Sequence, residues 1–254
     1  MLKVEKLSGG YGSKEVLHEI SFSVKANEKL CILGPNGCGK TTLLRAISGL
    51  LPSSGKVTFD GMDVHKAGRR EVAKKIALMS QISGIPFSYT VFETVLMGRY
   101  AHMKPGIFNG KSEVNEKMVL ECLNKVGMVE QKDRLITELS GGQLQRVFLA
   151  RVFAQDPQMI LLDEPTNHLD LKYQIELMEE LKKWANEKSR CVIGVLHDIN
   201  HALNFADTIL LLKEGAVQRF DKRQNFQVAS LNTTYGMDVK SYMLKALERW
   251  NDSL

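Results

Sequence analysis

The stretch that most constrains the fold is "GPNGCGKTT", residues 34–42, set between the apolar run "KLCIL" and the helix-period segment "TTLLRAISGL". Three glycines crowd a lysine and two threonines, so the chain must turn tightly between a buried strand and a helix. Glycines let backbone N–H groups turn inward, and the first amides and the dipole of the following helix favour an anion there. The spacing Gly34-x-x-x-x-Gly39-Lys40-Thr41 is that of a phosphate-binding loop. The whole loop, Gly34, Pro35, Asn36, Gly37, Cys38 and Gly39, is expected to cradle the phosphates of a nucleotide. Lys40 is expected to reach the β- and γ-phosphates, Thr41 to ligate Mg²⁺, and Thr42 to add a hydroxyl near the α-phosphate. A helix N-terminus and a nearby ammonium both favour a thiolate, so Cys38 is expected to be more reactive than Cys31 in its buried strand.

Around this loop the hydrophobic pattern changes period. "EISFSV" (19–24) and "KVTF" (56–59) alternate apolar and polar residues, as half-exposed antiparallel strands do. "KLCIL", "IALMS", "MILL", "CVIGVL" and "TILLL" are short and almost continuously apolar, the pattern of parallel strands covered on both faces. Helical segments separate them, including "LKYQIELMEELKKWA" with Ile175, Met178, Leu181 and Ala185 on one face. From about 82 to 154 only helix-period text is found. The expected fold is α/β: a P-loop NTPase core with a mostly parallel sheet, an N-terminal antiparallel β subdomain and an inserted α-helical subdomain. The expected division is one domain over 1–254, with the core in 1–81 and 155–220, the helical part in 82–154 and a C-terminal lobe in 221–254 covering the core.

Two further stretches carry chemistry. In "MILLDEPTNHLD" a buried strand ends in Asp163, at the sheet edge where open α/β folds bind ligands. Asp163 is expected to hold Mg²⁺ through water, and Glu164 beside it to activate the attacking water. No Asn-Lys-x-Asp guanine-reading motif is found, which favours ATP over GTP. Tyr11, in an N-terminal turn, could stack on adenine or be an ordinary surface tyrosine. In "LSGGQLQR", Ser140 is a natural N-cap for a helix whose apolar face runs through Leu144, Phe148 and Val152, and Gly141 and Gly142 expose free amides. The chain thus carries two helix N-termini suited to phosphate.

Taken in order and spacing, "GPNGCGKTT", "LSGGQLQR", "MILLDEPTNHLD" and "VLHDIN" resemble the ATP-binding subunits of ABC transporters, over nearly the whole chain. The resemblance implies a head-to-tail homodimer, in which Ser140, Gly141, Gly142 and Gln143 of one chain close over ATP held by the other chain's loop. It assigns Tyr11 to adenine stacking and Gln81 to sensing Mg²⁺ and the attacking water. It makes His197 a switch histidine at the γ-phosphate, and places Asp170 at the end of a loop that crosses the dimer interface. "VFETVLMGRYAHM", "HLDLKYQIELM" and "LHDINHALNFADTILLLKEG" further resemble the iron-complex importer class, serving ferric siderophores, haem or cobalamin. The zinc/manganese or molybdate importer class is the near alternative, and a soluble ABC ATPase acting on ribosomes or DNA is the rival from a different class.

Composition narrows the setting. Hydrophobic residues make up 44% and charged residues 25% of 254, ordinary for a globular protein. The net charge of +5 suits an anionic ligand or an acidic membrane surface, and no basic run marks a nucleic-acid site. Four cysteines (Cys31, Cys38, Cys122, Cys191) have no metal-like spacing, which points to reduced thiols. No signal-peptide core opens the chain and no apolar run is long enough to span a bilayer. The expected location is the cytoplasmic face of a membrane, with the pore formed by two separate polytopic permease subunits and cargo brought by a substrate-binding protein.

Overall fold

The computed structural model describes residues 1–80, 88–103, 112–167 and 169–251, the side chains of 249–251 excepted. In chain order the elements are β1 (Leu2–Tyr11), β2 (Lys14–Val24), β3 (Lys29–Leu33), α1 (Lys40–Ile47), β4 (Ser53–Phe59), β5 (Met62–Asp63), α2 (Arg69–Lys75) and β6 (Ile76–Met79). There follow α3 (Val91–Leu96), α4 (Glu113–Lys125), α5 (Gly141–Ala154), β7 (Met159–Asp163), α6 (Leu171–Asn186), β8 (Cys191–Val195), α7 (Ile199–Phe205), β9 (Thr208–Lys213) and β10 (Ala216–Lys222). Two helices, α8 (Ala229–Tyr235) and α9 (Val239–Asn251), close the chain.

The alternating strands form an antiparallel sheet in the order β2-β1-β4-β5, and the continuously apolar ones form a second sheet, β10-β9-β3-β8-β7-β6. In the second sheet every pairing is parallel except β9 with β10. The reason for the unbroken apolar runs is visible in the packing. Cys31, Leu33, Ile160, Leu162, Ile209 and Leu211 face one core, shared with α3, α4, α5 and α6. Leu30, Ile32, Met159, Leu161, Leu210 and Leu212 face the other, shared with α1 and the antiparallel sheet. Successive residues point to opposite faces, and both faces are covered.

The helices between β6 and β7 pack on one another, α3 and α4 against α5. Each begins at a side-chain cap: Thr90 forms a reciprocal capping box with Glu93, and Ser112 accepts from Asn115 N–H. Among the described residues between β6 and β7 there is no strand, only a single bridge between Thr90 and Leu135.

Two expectations need correction. In α6, Ile175 is 52% exposed, and the buried stripe runs instead through Leu177, Met178, Leu181, Trp184 and Ala185. The first six residues of the helix contribute no buried side chain, so its apolar face is set by where packing begins and not by the full pattern. The C-terminal residues cover the core only in part: Leu231 and Val239 are buried, but Tyr242, Leu244 and Leu247 of α9 stand in solvent. Among the described residues no helix is long and apolar enough to cross a membrane.

Candidate active site

The parallel register decides which residues meet. Asp163 pairs with Val195 and Leu33 with Leu211, so β3, β7 and β8 end at one sheet edge, the first followed by the glycine loop, the others by Glu164 and by His197. At Gly34 the loop passes so close to β9 that a Cβ would lie 2.1 Å from the Leu212 carbonyl oxygen. Gly39 adopts φ 105° and starts α1 with no side-chain cap on the first amides of the helix. These amides border a cavity of about 420 Å³ lined by Val16, Asn36, Gly37, Gly39, Lys40, Thr41, Thr42, Glu164 and His197.

The charged groups in or beside this cavity and the Thr41 hydroxyl already have partners. Lys40 is buried, and its Nζ donates to the carbonyls of Gly34 at 2.8 Å and Pro35 at 2.9 Å. The Thr41 hydroxyl donates to Asp163 Oδ1 at 3.1 Å. Burial pushes the Asp163 carboxyl above the usual range; the Thr41 hydrogen bond opposes this, and the Glu164 charge adds to it. Glu164 Oε1 meets His197 Nε2, and its Oε2 accepts from Asn167 Nδ2 at 2.6 Å.

A magnesium–nucleotide fits this donor set. Thr41 and Asp163 offer adjacent hard oxygens, and Mg²⁺ takes few protein ligands when phosphate oxygens and water complete its shell. Among the described residues no cluster of three or more His, Cys, Asp or Glu side chains could hold a metal by itself.

Other expected residues lie apart from the cavity. Tyr11 does not line it; the ring is 47% exposed, and its hydroxyl accepts from Arg45 Nη1 at 3.2 Å. The wall there is Val16, on the next strand, whose Cγ1 would stand 3.3 Å from a Cβ at Gly39. Ser140 and Gln143 form a capping box at the exposed start of α5, with Gly141 and Gly142 in its first turn. Asp170 caps α6 by accepting from Tyr173 N–H at 3.0 Å. Neither group reaches this chain's own cavity. Gln81 lies outside the described residues.

The expectation for Cys38 is overturned. Its side chain turns into the core beneath the loop, 5% exposed, and burial pushes its thiol up despite the Lys40 ammonium. Sequence reasoning missed Val16 and Asn167. Asn167 could have been found from its place three residues past Glu164, within one turn's reach; Val16 meets the loop only through the packing of the two sheets.

The sheet order, the glycine loop and the carboxylates at one strand edge define a P-loop nucleotide-binding fold. Residues 17–167 match the family model described as ABC transporter, and the chain belongs to that family. It is 40% identical to YvrA of Bacillus subtilis (strain 168), described as an uncharacterised ABC transporter ATP-binding protein, over 94% of this chain but only 54% of YvrA's length. It is 36% identical to the iron(3+)-hydroxamate import ATP-binding protein FhuC of Bacillus subtilis (strain 168), over 85% of this chain and 80% of FhuC. Among solved structures it is similar to the ATP-binding cassette MJ0796, a dimer in a post-hydrolysis state bound to ADP and Pi. The TM-score there is 0.77 at 33% identity, covering 89% of this chain and 100% of that one.

Proposed function

We propose that the chain is the ATP-binding and ATP-hydrolysing subunit of a multi-subunit ABC importer. In this reading it works as a homodimer on the cytoplasmic face of a membrane, beneath two separate polytopic permease subunits supplied by a substrate-binding protein. The cargo is an iron complex (siderophore or haem) or cobalamin, supported by the 36% identity to the hydroxamate importer subunit. The core of residues 1–81 and 155–220 holds the nucleotide, residues 82–154 present α5, the signature helix capped by Ser140, to a partner, and residues 221–254 form a terminal lobe.

The observation that carries the catalytic reading is the meeting of the glycine loop, Glu164 and His197 in one cavity, with Asp163 bonded to Thr41 at its edge. The first amides of α1 and the glycine loop bind phosphate oxygens, and Lys40 exchanges its two loop carbonyls for the β- and γ-phosphates. Thr41, Asp163 and Gln81 would hold Mg²⁺, which would supply positive charge against those phosphates. Glu164 takes a proton from the attacking water, and His197, now paired with Glu164, turns to steady the γ-phosphate. Tyr11 extends toward the adenine beyond Val16. The exposed cap residues Ser140 to Gln143 and the loop ending at Asp170 do not reach their own chain's cavity, which fits their serving the partner's ATP.

The test is Glu164→Gln, which keeps the size and removes the base. Turnover should fall at least about 100-fold while ATP still binds. With hydrolysis blocked, the variant should run as a dimer in Mg-ATP and as a monomer without it, by size-exclusion chromatography. A parental hydrolysis rate would sink the assignment of the base.

A further inference from the structure

Glu164 occupies a backbone conformation that a bulky L-residue avoids, φ 55°, and it is followed directly by proline. Such a conformation persists only where its surroundings over-determine it. On its N-terminal side the tether is its own N–H, which donates to the Val195 carbonyl at 3.1 Å. On its C-terminal side its own carbonyl accepts from Asn167 N–H at 3.3 Å, Pro165 has no N–H to give, and the Pro165 carbonyl is the next backbone handle. That oxygen is taken by Gln145 Nε2 at 2.8 Å, from a side chain only 8% exposed and 20 residues away on α5.

We infer that Gln145 is a positioning residue for Glu164: the signature helix holds the base of its own chain through the Pro165 carbonyl. The inference rests on Glu164 being that base. A buried carbonyl deprived of its donor seeks another partner, and the peptide between 165 and 166, to which it belongs, turns with it. Pro165 joins that peptide directly to Glu164 in its strained conformation, so a small turn is passed on and moves the carboxylate away from the attacking water. Lys40 and the glycine loop lie on another strand's end and keep their grip on the nucleotide. A second contact ties the same helix further along: the Arg146 guanidinium lies 4.3 Å over the Tyr173 ring, and Tyr173 N–H is bonded to Asp170. α5 therefore grips both ends of the segment joining β7 to α6.

Steady-state kinetics of two variants tests this. Gln145→Met keeps the volume and removes the donor; Gln145→Glu keeps the shape and places an acceptor against the carbonyl. Both should lower kcat about 10- to 100-fold, since a displacement of about 1 Å is enough for that. KM for ATP should stay within about twofold, because binding groups are untouched. In the Glu164→Gln background, adding Gln145→Met should slow residual turnover no further, as expected when one residue acts through the other. A parental kcat per ATP-binding site, or losses that multiply in the double variant, would overturn the inference. Should Gln145→Met fail to fold, Gln145→Glu decides by the same readouts. A collapsed Glu164→Gln beside fully active Gln145 variants defeats the positioning role alone. A fully active Glu164→Gln defeats the base assignment and this inference with it.

Discussion

Cys38 shows how a side chain's direction outweighs its address. It lies one residue before Gly39, next to a helix N-terminus and the Lys40 ammonium, all of which favour a thiolate. The loop nevertheless turns its sulfur inward, against Gly34, where a Cβ would lie 2.8 Å from Sγ. Burial then dominates and pushes the thiol up, as it pushes Cys31 up to about 12. The expected outcome with maleimide at pH 7 is labelling at least about tenfold slower than a free exposed thiol. Mg-ATP should change that rate little, and the rate should keep rising with pH beyond the point where an ordinary thiol levels off, because burial pushes the thiol up. Peptide mapping after timed labelling checks it; fast labelling that Mg-ATP blocks would restore the exposed, thiolate-like cysteine.

Among the helical elements, a close backbone fit lies between the turn after α3 and the end of α5. A Cβ at Gly98 would stand 2.3 Å from the Arg151 carbonyl and 3.2 Å from Ala154 Cβ, so backbone meets backbone there. Arg99, also buried, donates to the Ala154 carbonyl at 2.8 Å and to Asn115 Oδ1 at 3.1 Å, closing the C-terminal end of α5 and tying it to α4. Gly98→Ala should cost about 1–3 kcal/mol, the cost of overpacking a site whose neighbour is main chain. Chemical denaturation should show it as a lower midpoint at unchanged slope. An unchanged midpoint would mean the two segments separate freely.

At the scale of the whole molecule, the proposed function has a partner chain complete the site. Ser140 is exposed and outside its own chain's cavity, while Lys40 lines it. Ser140→Arg should block only the partner's nucleotide, and Lys40→Ala only its own. Mixing these two inactive chains places both defects at one site of a mixed dimer and leaves the other whole. If the sites act independently, random pairing predicts recovery to about a quarter of the parental ATPase rate. Mixed dimers with no ATPase would defeat independent sites built from two chains.

Much of this was legible in the chain. Unbroken apolar runs at β3, β7, β8 and β9 specify strands covered on both faces, because side chains alternate and no face is polar. Glycines followed by Lys40 and Thr41 specify a phosphate cradle, because the conformations there admit little else. Local spacing carries such information, since neighbours in sequence share one turn or one strand. It carries none about which strand lies beside which. The order β3-β8-β7 alone brings His197 onto an oxygen of Glu164. The packing of α5 sets Gln145 on Pro165, and the contact between the two sheets makes Val16 a wall of the cavity in place of Tyr11. The same packing turns Cys38 inward and leaves Ile175 in solvent, because burial is a property of the assembled core and not of a residue's place in a pattern.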